Sequence, residues 1–373
     1  MKPPPAASAL SDDQRLAWLR LIRTPGIGPV TFRELLNHFG GATEAVAALP
    51  DLARKAGHPV RVTSMSDAER ELAEAAAIDA RFIAAGESGY PPWLAALEGA
   101  PPLITVRGNL NSLTMPAVAV VGSRNASVAG QKLAAEIAAG LGAAGFAVVS
   151  GLARGIEAAA HRAALPTRTL AVFAGGLDRP YPPDNLALAD AIIERQGAHV
   201  SEMPMGHEPR AKDFPRRNRI ISGMSLAVVI VEAALRSGSL ITARLAAEQG
   251  RLVFAVPGSP LDPRAAGANR LIRDGATIVT SIDEIIADIS PMLDKPAPPR
   301  TAREPPHDER PVLDADDSDR QRIVAALGPA PVGIDEIIRF TGMAAPVVRL
   351  VLLELDVAGR IEHHPGGRVA LLA

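Results

Sequence analysis

Cysteine is absent from all 373 residues. That excludes disulfides, thiol catalysis and cysteine-ligated zinc, and it fits a reducing compartment. No HExxH sequence and no paired-histidine cluster marks a metal site. Neither GKS nor GKT occurs, so there is no P-loop. Aromatic residues make up 3% of the chain, too few for a long base-stacking platform. Lysine occurs only at 2, 55, 132, 212 and 295, while arginine is abundant throughout, so arginine carries meaning by position and not by number. Long apolar runs are missing too: the longest, near 226–231, is far too short to span a bilayer. The start Met1-Lys2-Pro3-Pro4-Pro5 lacks the apolar core of a signal peptide, so the expected location is the cytoplasm. A net charge of -2 rules out a uniformly basic protein and leaves nucleic-acid binding to a local patch.

What is present is a globular chain, 47% hydrophobic, with room for two or three domains. Residues 1–11 are rich in proline and alanine and read as disordered. Residues 291–317 are rich in proline and charge and hold few large apolar side chains, so they read as a disordered linker. No internal repeat is evident. Residues 12–86 read as a small helical domain. Its clearest part is a helix around Leu16–Arg23, a Pro25-Gly26-Ile27-Gly28 turn and a second helix over 30–39, the pattern of a helix-hairpin-helix. Glycine amides in such a turn can approach a phosphate, though a plain turn between packed helices explains the same residues.

Residues 87–290 alternate strand and helix signals. Apolar strands are predicted at Val118–Val121, Ala147–Val149, Thr169–Phe173, His199–Val200, Leu226–Val231, Leu252–Val256 and Thr277–Val279, with helices such as 128–144 and 239–249 between them. Near-continuous apolar strands separated by helices predict a doubly wound α/β domain with a mostly parallel sheet covered on both faces. Ligands in such folds bind beyond the carboxyl ends of the strands. Gly122-Ser123-Arg124, Ser150-Gly151 and Gly175-Gly176 follow the first three strands, Glu202 follows the fourth, and Ser237-Gly238-Ser239 comes shortly after the fifth. Small residues there let backbone amides reach an anion. Phe214-Pro215-Arg216-Arg217-Asn218-Arg219 precedes the fifth strand and adds three arginines whose planar forks suit phosphate. At least one of these three is expected in a structural ion pair with Glu202 or Glu232. The candidate anion site is Gly122, Ser123, Arg124, Ser150, Gly151, Phe214, Arg216, Arg217, Asn218, Arg219, Ser237, Gly238, Ser239 and Thr242. It holds no catalytic residue, no metal and no cofactor. Gly122 to Ser127 lacks the later glycines of a dinucleotide fingerprint. His161, set among alanines, reads as a packed histidine. Phe214 and Tyr181 are the loop aromatics available to stack a base.

Residues 318–373 read as a winged helix, with helices at 319–327, 334–341 and 344–358 and a wing built on Arg360–Glu362 and Arg368–Leu372. The third helix opens with Ala344-Ala345-Pro346-Val347-Val348-Arg349, almost without base-reading side chains, which disfavours a sequence-specific transcription factor.

Six segments in order, VAVVGSRNAS (118–127), VVSGLARGIEAAAHRAAL (148–165), GGLDRPYPPDN (175–185), FPRRNRIISGMS (214–225), SGSLITARLAAEQGR (237–251) and FAVPG (254–258), closely resemble the DNA-processing protein A (DprA, or Smf) family. So do Tyr90-Pro91, Pro101-Pro102-Leu103 and Gly108-Asn109. The resemblance covers about 90–280. It implies a Rossmann-like, homodimeric, non-enzymatic protein that binds single-stranded DNA and loads the RecA recombinase in natural transformation. It also implies that Arg124 meets a phosphate. Glu157 stands where the family usually has aspartate, which puts close hydrogen bonding there in question. A competing reading is a nucleotide phosphoribohydrolase of the LOG or lysine-decarboxylase-like group. Leu245 stands where that group's catalytic glutamate belongs.

Overall fold

A computed structural model describes residues 9–57, 59–293, 315–364 and 366–372. The proline-rich stretches expected to be disordered therefore lie largely outside the described residues. Near the second of them, 291–293 belong to a helix and 317 begins another.

Four helices open the chain: α1 (Asp12–Arg23), α2 (Pro29–Phe39), α3 (Ala42–Lys55) and α4 (Met65–Ala77). An alternating series follows: β1 (Ala80–Ala84), α5 (Pro92–Ala95), β2 (Leu103–Gly108), α6 (Leu110–Leu113), β3 (Ala117–Gly122), α7 (Val128–Ala143) and β4 (Ala147–Ser150). It continues through α8 (Ile156–Ala164), β5 (Thr169–Val172), α9 (Leu186–Glu194), β6 (Ala198–Ser201), α10 (Asp213–Gly223) and β7 (Ala227–Val231). It ends with α11 (Gly238–Glu248), β8 (Leu252–Ala255), α12 (Ala266–Arg273), β9 (Thr277–Ile278) and α13 (Ile282–Leu293). The C-terminal set is α14 (Asp317–Ala326), β10 (Val332–Gly333), α15 (Ile334–Thr341), α16 (Ala345–Val357), β11 (Ile361–His364) and β12 (Arg368–Leu371).

Two compact units result. One runs from Arg70 through α13, and the other combines α1–α3 with α14–β12; the division falls inside α4. The first unit holds a nine-stranded sheet in the order β1-β2-β6-β5-β4-β3-β7-β8-β9. From β6 to β9 every pairing is parallel, while β1 and β2 form an antiparallel edge. This is the mostly parallel, doubly wound, Rossmann-like sheet that the apolar strands predict. β3, β4, β5 and β7 are buried at every position because helices cover both faces, which is why they read as continuous apolar runs. One core lies on each face: Val121, Val149, Val172, Val228 and Ile230 point to one side, and Val118, Val120, Val148, Val229 and Phe254 to the other.

The pair β1–β2 is missing from the sequence reading, which ends the helical region at residue 86. The alanines of α4 run straight into Ala80, and β1 is buried at four of its five positions, so the period-two signal of an edge strand is absent.

In the second unit, Ser11 and Gln14 form a capping box on α1, and Trp18 meets Phe32 edge-on at 4.9 Å across the hairpin. β10, β12 and β11 make the wing of a winged helix over a core of Ile323, Ile337, Val351, Leu355 and Val369. The small helical domain and the winged helix are distant in sequence, yet α16 packs on α2 and α3. Thr31 donates a 2.7 Å hydrogen bond to Asp356, and Arg360 bonds the Ala56 carbonyl at 3.3 Å. The second half of α16, Leu350–Val357, is wholly buried, so those side chains serve packing and not the reading of a groove.

Candidate nucleic-acid interface

The sheet reverses its winding between β3 and β7, and their carboxyl ends open the crevice where such folds place ligands. The site begins at Gly122. A Cβ there would lie 1.8 Å from the Val231 carbonyl, so only glycine lets β3 run this close to β7 as the chain turns away. The next two residues lie against Gly155, whose φ is 74°; a Cβ there would fall 2.3 Å from the Ser123 carbonyl oxygen. Ile156 donates to that same oxygen at 3.2 Å, and the Ser123 hydroxyl accepts from the Asn125 amide at 3.2 Å. The loop is thus pinned by its backbone while the Arg124 side chain stands exposed.

The loop after β4 is held from inside. Glu157 accepts from the Gly151 and Ala153 amides at 3.1 and 3.0 Å. The glutamate in the family's aspartate position therefore does make close hydrogen bonds. His161 Nε2 accepts from the Leu152 amide at 3.3 Å. The Thr169 hydroxyl spends its proton on the Val148 carbonyl at 2.7 Å, so His161 Nδ1 must be the donor in the 2.7 Å contact to Thr169. That leaves a neutral ring, consistent with burial pushing its pKa down to about 3 with help from His199. Ser150 is buried, its hydroxyl bonded to the Val120 carbonyl at 2.7 Å.

The arginine-rich run forms the start of α10, and its three arginines meet different fates. Arg216 donates to Glu202 at 2.9 Å, and Arg219 bonds the other Glu202 oxygen and the Gly99 carbonyl. Arg217 is 4% exposed, with Nη1 3.8 Å from Glu157. Its Nε and Nη1 have no hydrogen-bond partner among the described residues. Burial lowers its pKa, opposed by Glu157. Its guanidinium fills the space over Gly151, where a Cβ would lie 1.1 Å from Nη1. Phe214 ties this helix to the β3 loop. The Arg124 guanidinium lies 5.0 Å from the ring centroid and that of Arg217 5.8 Å, both within cation–π range. Tyr181, half exposed, meets Phe214 edge-on at 5.9 Å.

Ser237 caps α11, and Asn218 reaches the Gly238 carbonyl at 3.4 Å. Gly238 is open, whereas Ser239 and Thr242 are buried. The structure therefore brings together Gly122, Ser123, Arg124, Gly151, Phe214, Arg217, Asn218, Ser237 and Gly238. Ser150, Ser239 and Thr242 are enclosed, and Arg216 and Arg219 are bound to Glu202. Sequence reasoning did not foresee the Tyr181–Phe214 contact, nor that Glu232 caps α7 through the Ser127 amide at 2.8 Å. Guanidinium, hydroxyl and backbone N–H donors gather here, a set that suits an anion and not a metal ion.

Residues 81–290, more than half of the chain, match the family described as DNA recombination-mediator protein A. The chain belongs to the DNA recombination-mediator protein A family. Residues 12–74 match the DprA-like N-terminal HHH domain and 296–367 the DprA winged helix domain. Protein Smf of Escherichia coli (strain K12) is 40% identical over 293 residues, 78% of this chain and 77% of that protein. DNA processing protein DprA of Streptococcus pneumoniae is 46% identical over 201 residues, 53% of this chain and 71% of that one. The solved structure of S. pneumoniae DprA aligns with a TM-score of 0.62 at 34% identity, covering 75% of this chain and 99% of that one. A Helicobacter pylori DprA structure, described for its single-stranded DNA binding mode, aligns at 0.52 and 27% identity over 59% of this chain and 98% of that one.

Proposed function

We propose that this protein binds single-stranded DNA along the ledge formed by Arg124, Phe214 and Tyr181, and delivers it to the RecA recombinase during natural transformation. The observation that carries the reading is Arg124. It is exposed, stacked at 5.0 Å on Phe214, and makes no ion pair among the described residues. An arginine oriented by an aromatic ring offers a fork to a phosphate, and the half-exposed ring of Tyr181 offers a base a face to stack on. The H. pylori relative, described as binding single-stranded DNA, supports the same ligand here. Recombinase loading, assembly as a homodimer and action in the cytoplasm without catalysis complete the proposal.

The phosphoribohydrolase reading finds less support. Leu245 replaces its glutamate, and the carboxylates near the ledge, Glu157 and Glu232, are engaged with backbone amides. The test is a gel shift with single- and double-stranded oligonucleotides beside an AMP hydrolysis assay. Tight retention of single strands without hydrolysis is the expected result. Hydrolysis of AMP without retention would reverse the assignment.

A further inference from the structure

The first turn of α7 faces the β3–β7 switch point, the place where a doubly wound sheet most readily seats an anion: free amides, a helix dipole and a crevice coincide. In this chain that seat is already taken. Glu232, the residue after β7, accepts from the Ser127 amide at 2.8 Å and also from the Ser127 hydroxyl. Its carboxylate lies flat on the helix: a Cβ added to Gly130 would fall 2.4 Å from the Glu232 carboxyl carbon and 2.6 and 2.7 Å from its two oxygens. The backbone at Glu232 has a φ of 51°, a left-handed conformation that costs a residue with a side chain and persists only where the surroundings hold it. The helix does not depend on Glu232 alone for its cap, because the Ser127 hydroxyl accepts from the Gly130 amide at 2.9 Å.

We propose that Glu232 is a specificity-determining residue, a built-in anion that closes the α7 seat to free phosphate and to mononucleotides and so turns a phosphodiester chain toward Arg124. The first half of this stands on the geometry of Glu232, Ser127 and Gly130. The second half rests on the reading of the ledge as a DNA site. A phosphate entering the seat would have to displace a carboxylate already bonded to the same donors. A nucleotide-binding relative of this fold leaves those donors to its ligand. Glu232 thereby makes the crevice reject the small ligands that its topology invites.

The experiment titrates inorganic phosphate and AMP onto the full chain by calorimetry, for the wild type and for Glu232→Ala, Glu232→Gly and Glu232→Gln. Glycine suits the left-handed backbone, so Glu232→Gly guards against a variant that merely fails to fold. Phosphate and AMP are expected to bind the alanine and glycine variants about tenfold or more tighter than the wild type, the scale of one anion at a helix start. Glu232→Gln keeps the shape and one acceptor oxygen for the Ser127 amide but loses the charge, so it should bind phosphate less tightly than the alanine variant and more tightly than the wild type. Alanine and glycine variants that melt like the wild type yet gain no phosphate or AMP binding would overturn the proposal. So would a glutamine variant that binds phosphate as well as the alanine variant does. A labelled single-stranded oligonucleotide separates the two readings: free phosphate should compete with it on Glu232→Ala more than on the wild type. A wild type that binds no oligonucleotide removes the DNA reading, while the phosphate and AMP titrations still decide the role of Glu232.

Discussion

Arg124 and Arg217 flank one Phe214 ring, but the first is exposed and the second is 4% exposed. Removing the first should therefore cost binding and not stability. Arg124→Ala is expected to weaken single-stranded DNA by about tenfold to hundredfold, the loss of one charged hydrogen-bonding group worth roughly 1.5–3 kcal/mol, with the melting temperature nearly unchanged. Arg124→Lys should recover only part, because a point charge lacks the bidentate fork. Fluorescence anisotropy with a melting curve on the same samples checks both. Gly151→Ala asks the opposite question. Its Cβ would sit 1.1 Å from Arg217 Nη1, so the guanidinium must leave its place or the β4 loop must move. Overpacking of this kind costs about 1–3 kcal/mol, and the variant should melt several degrees lower. Pairing it with Arg217→Ser should recover only part of the melting temperature, because the clash is gone but Glu157 loses its charge partner.

Single elements carry titrating groups whose sign can be worked out. α8 holds His161 and β6 holds His199, buried and neutral, with burial lowering their pKa values to about 3 and about 4. The unfolded chain takes up protons near the ordinary histidine value of about 6.5, and the folded chain does not. Their contribution is complete above about 6.5 and is lost as pH falls through the values near 4 and 3. Acid unfolding of the sheet unit should therefore begin below pH 6.5 by circular dichroism, and His199→Gln should shift the onset to lower pH.

Between α2, α16 and β11 the sign reverses. The Asp356 carboxylate, 3.0 Å from Nε2, raises the pKa of His363 against its burial, and burial raises that of Glu34 against the attraction of His363 and Arg349. Asp356 adds to the rise at Glu34, and Glu34 adds to that at His363. Nearby, burial lowers the pKa of His38 on α2, while Glu354 on α16 acts the other way. A raised folded pKa means protons held in the folded state, so the contribution of His363 is full below about 6.5 and fades as pH rises through its folded value. Amide exchange in α2 and α16 should accelerate beyond the intrinsic chemical rate as pH rises above about 6.5, and less so in His363→Gln.

At the scale of the whole molecule the net charge is -2, so attraction for DNA has to arise from a local cluster. Affinity for single strands should fall linearly in log–log form with added salt, with a slope of about -0.7 for each phosphate neutralised. With Arg216 and Arg219 already paired to Glu202, that slope should report few phosphates, and Arg124→Ala should reduce it by roughly one contact. A flat salt response between low and moderate ionic strength would count against a phosphate-dominated site.

The parallel sheet was legible in the sequence because β3, β4, β5 and β7 are buried on both faces and are apolar but for Ser150 and Thr169, whose hydroxyls are hydrogen-bonded to neighbouring strands. The helix-hairpin-helix was legible because Pro25 to Gly28 breaks one helix and starts another. The winged helix showed itself through three short helices followed by two short wing segments, and the strand ends through their small residues. Which arginine is available was not legible. Arg216, Arg217 and Arg219 stand within four positions, and only the fold puts Glu202 beside two of them and Gly151 beneath the third. The same is true of Glu232, which lies more than a hundred residues from Ser127, and of Asp356 against Thr31. Local sequence fixes periodicity, caps and turns, because these depend on neighbours three or four residues away. The pairing of a buried charge depends on which distant segment the hydrophobic layers bring to it, and tertiary packing alone makes that choice.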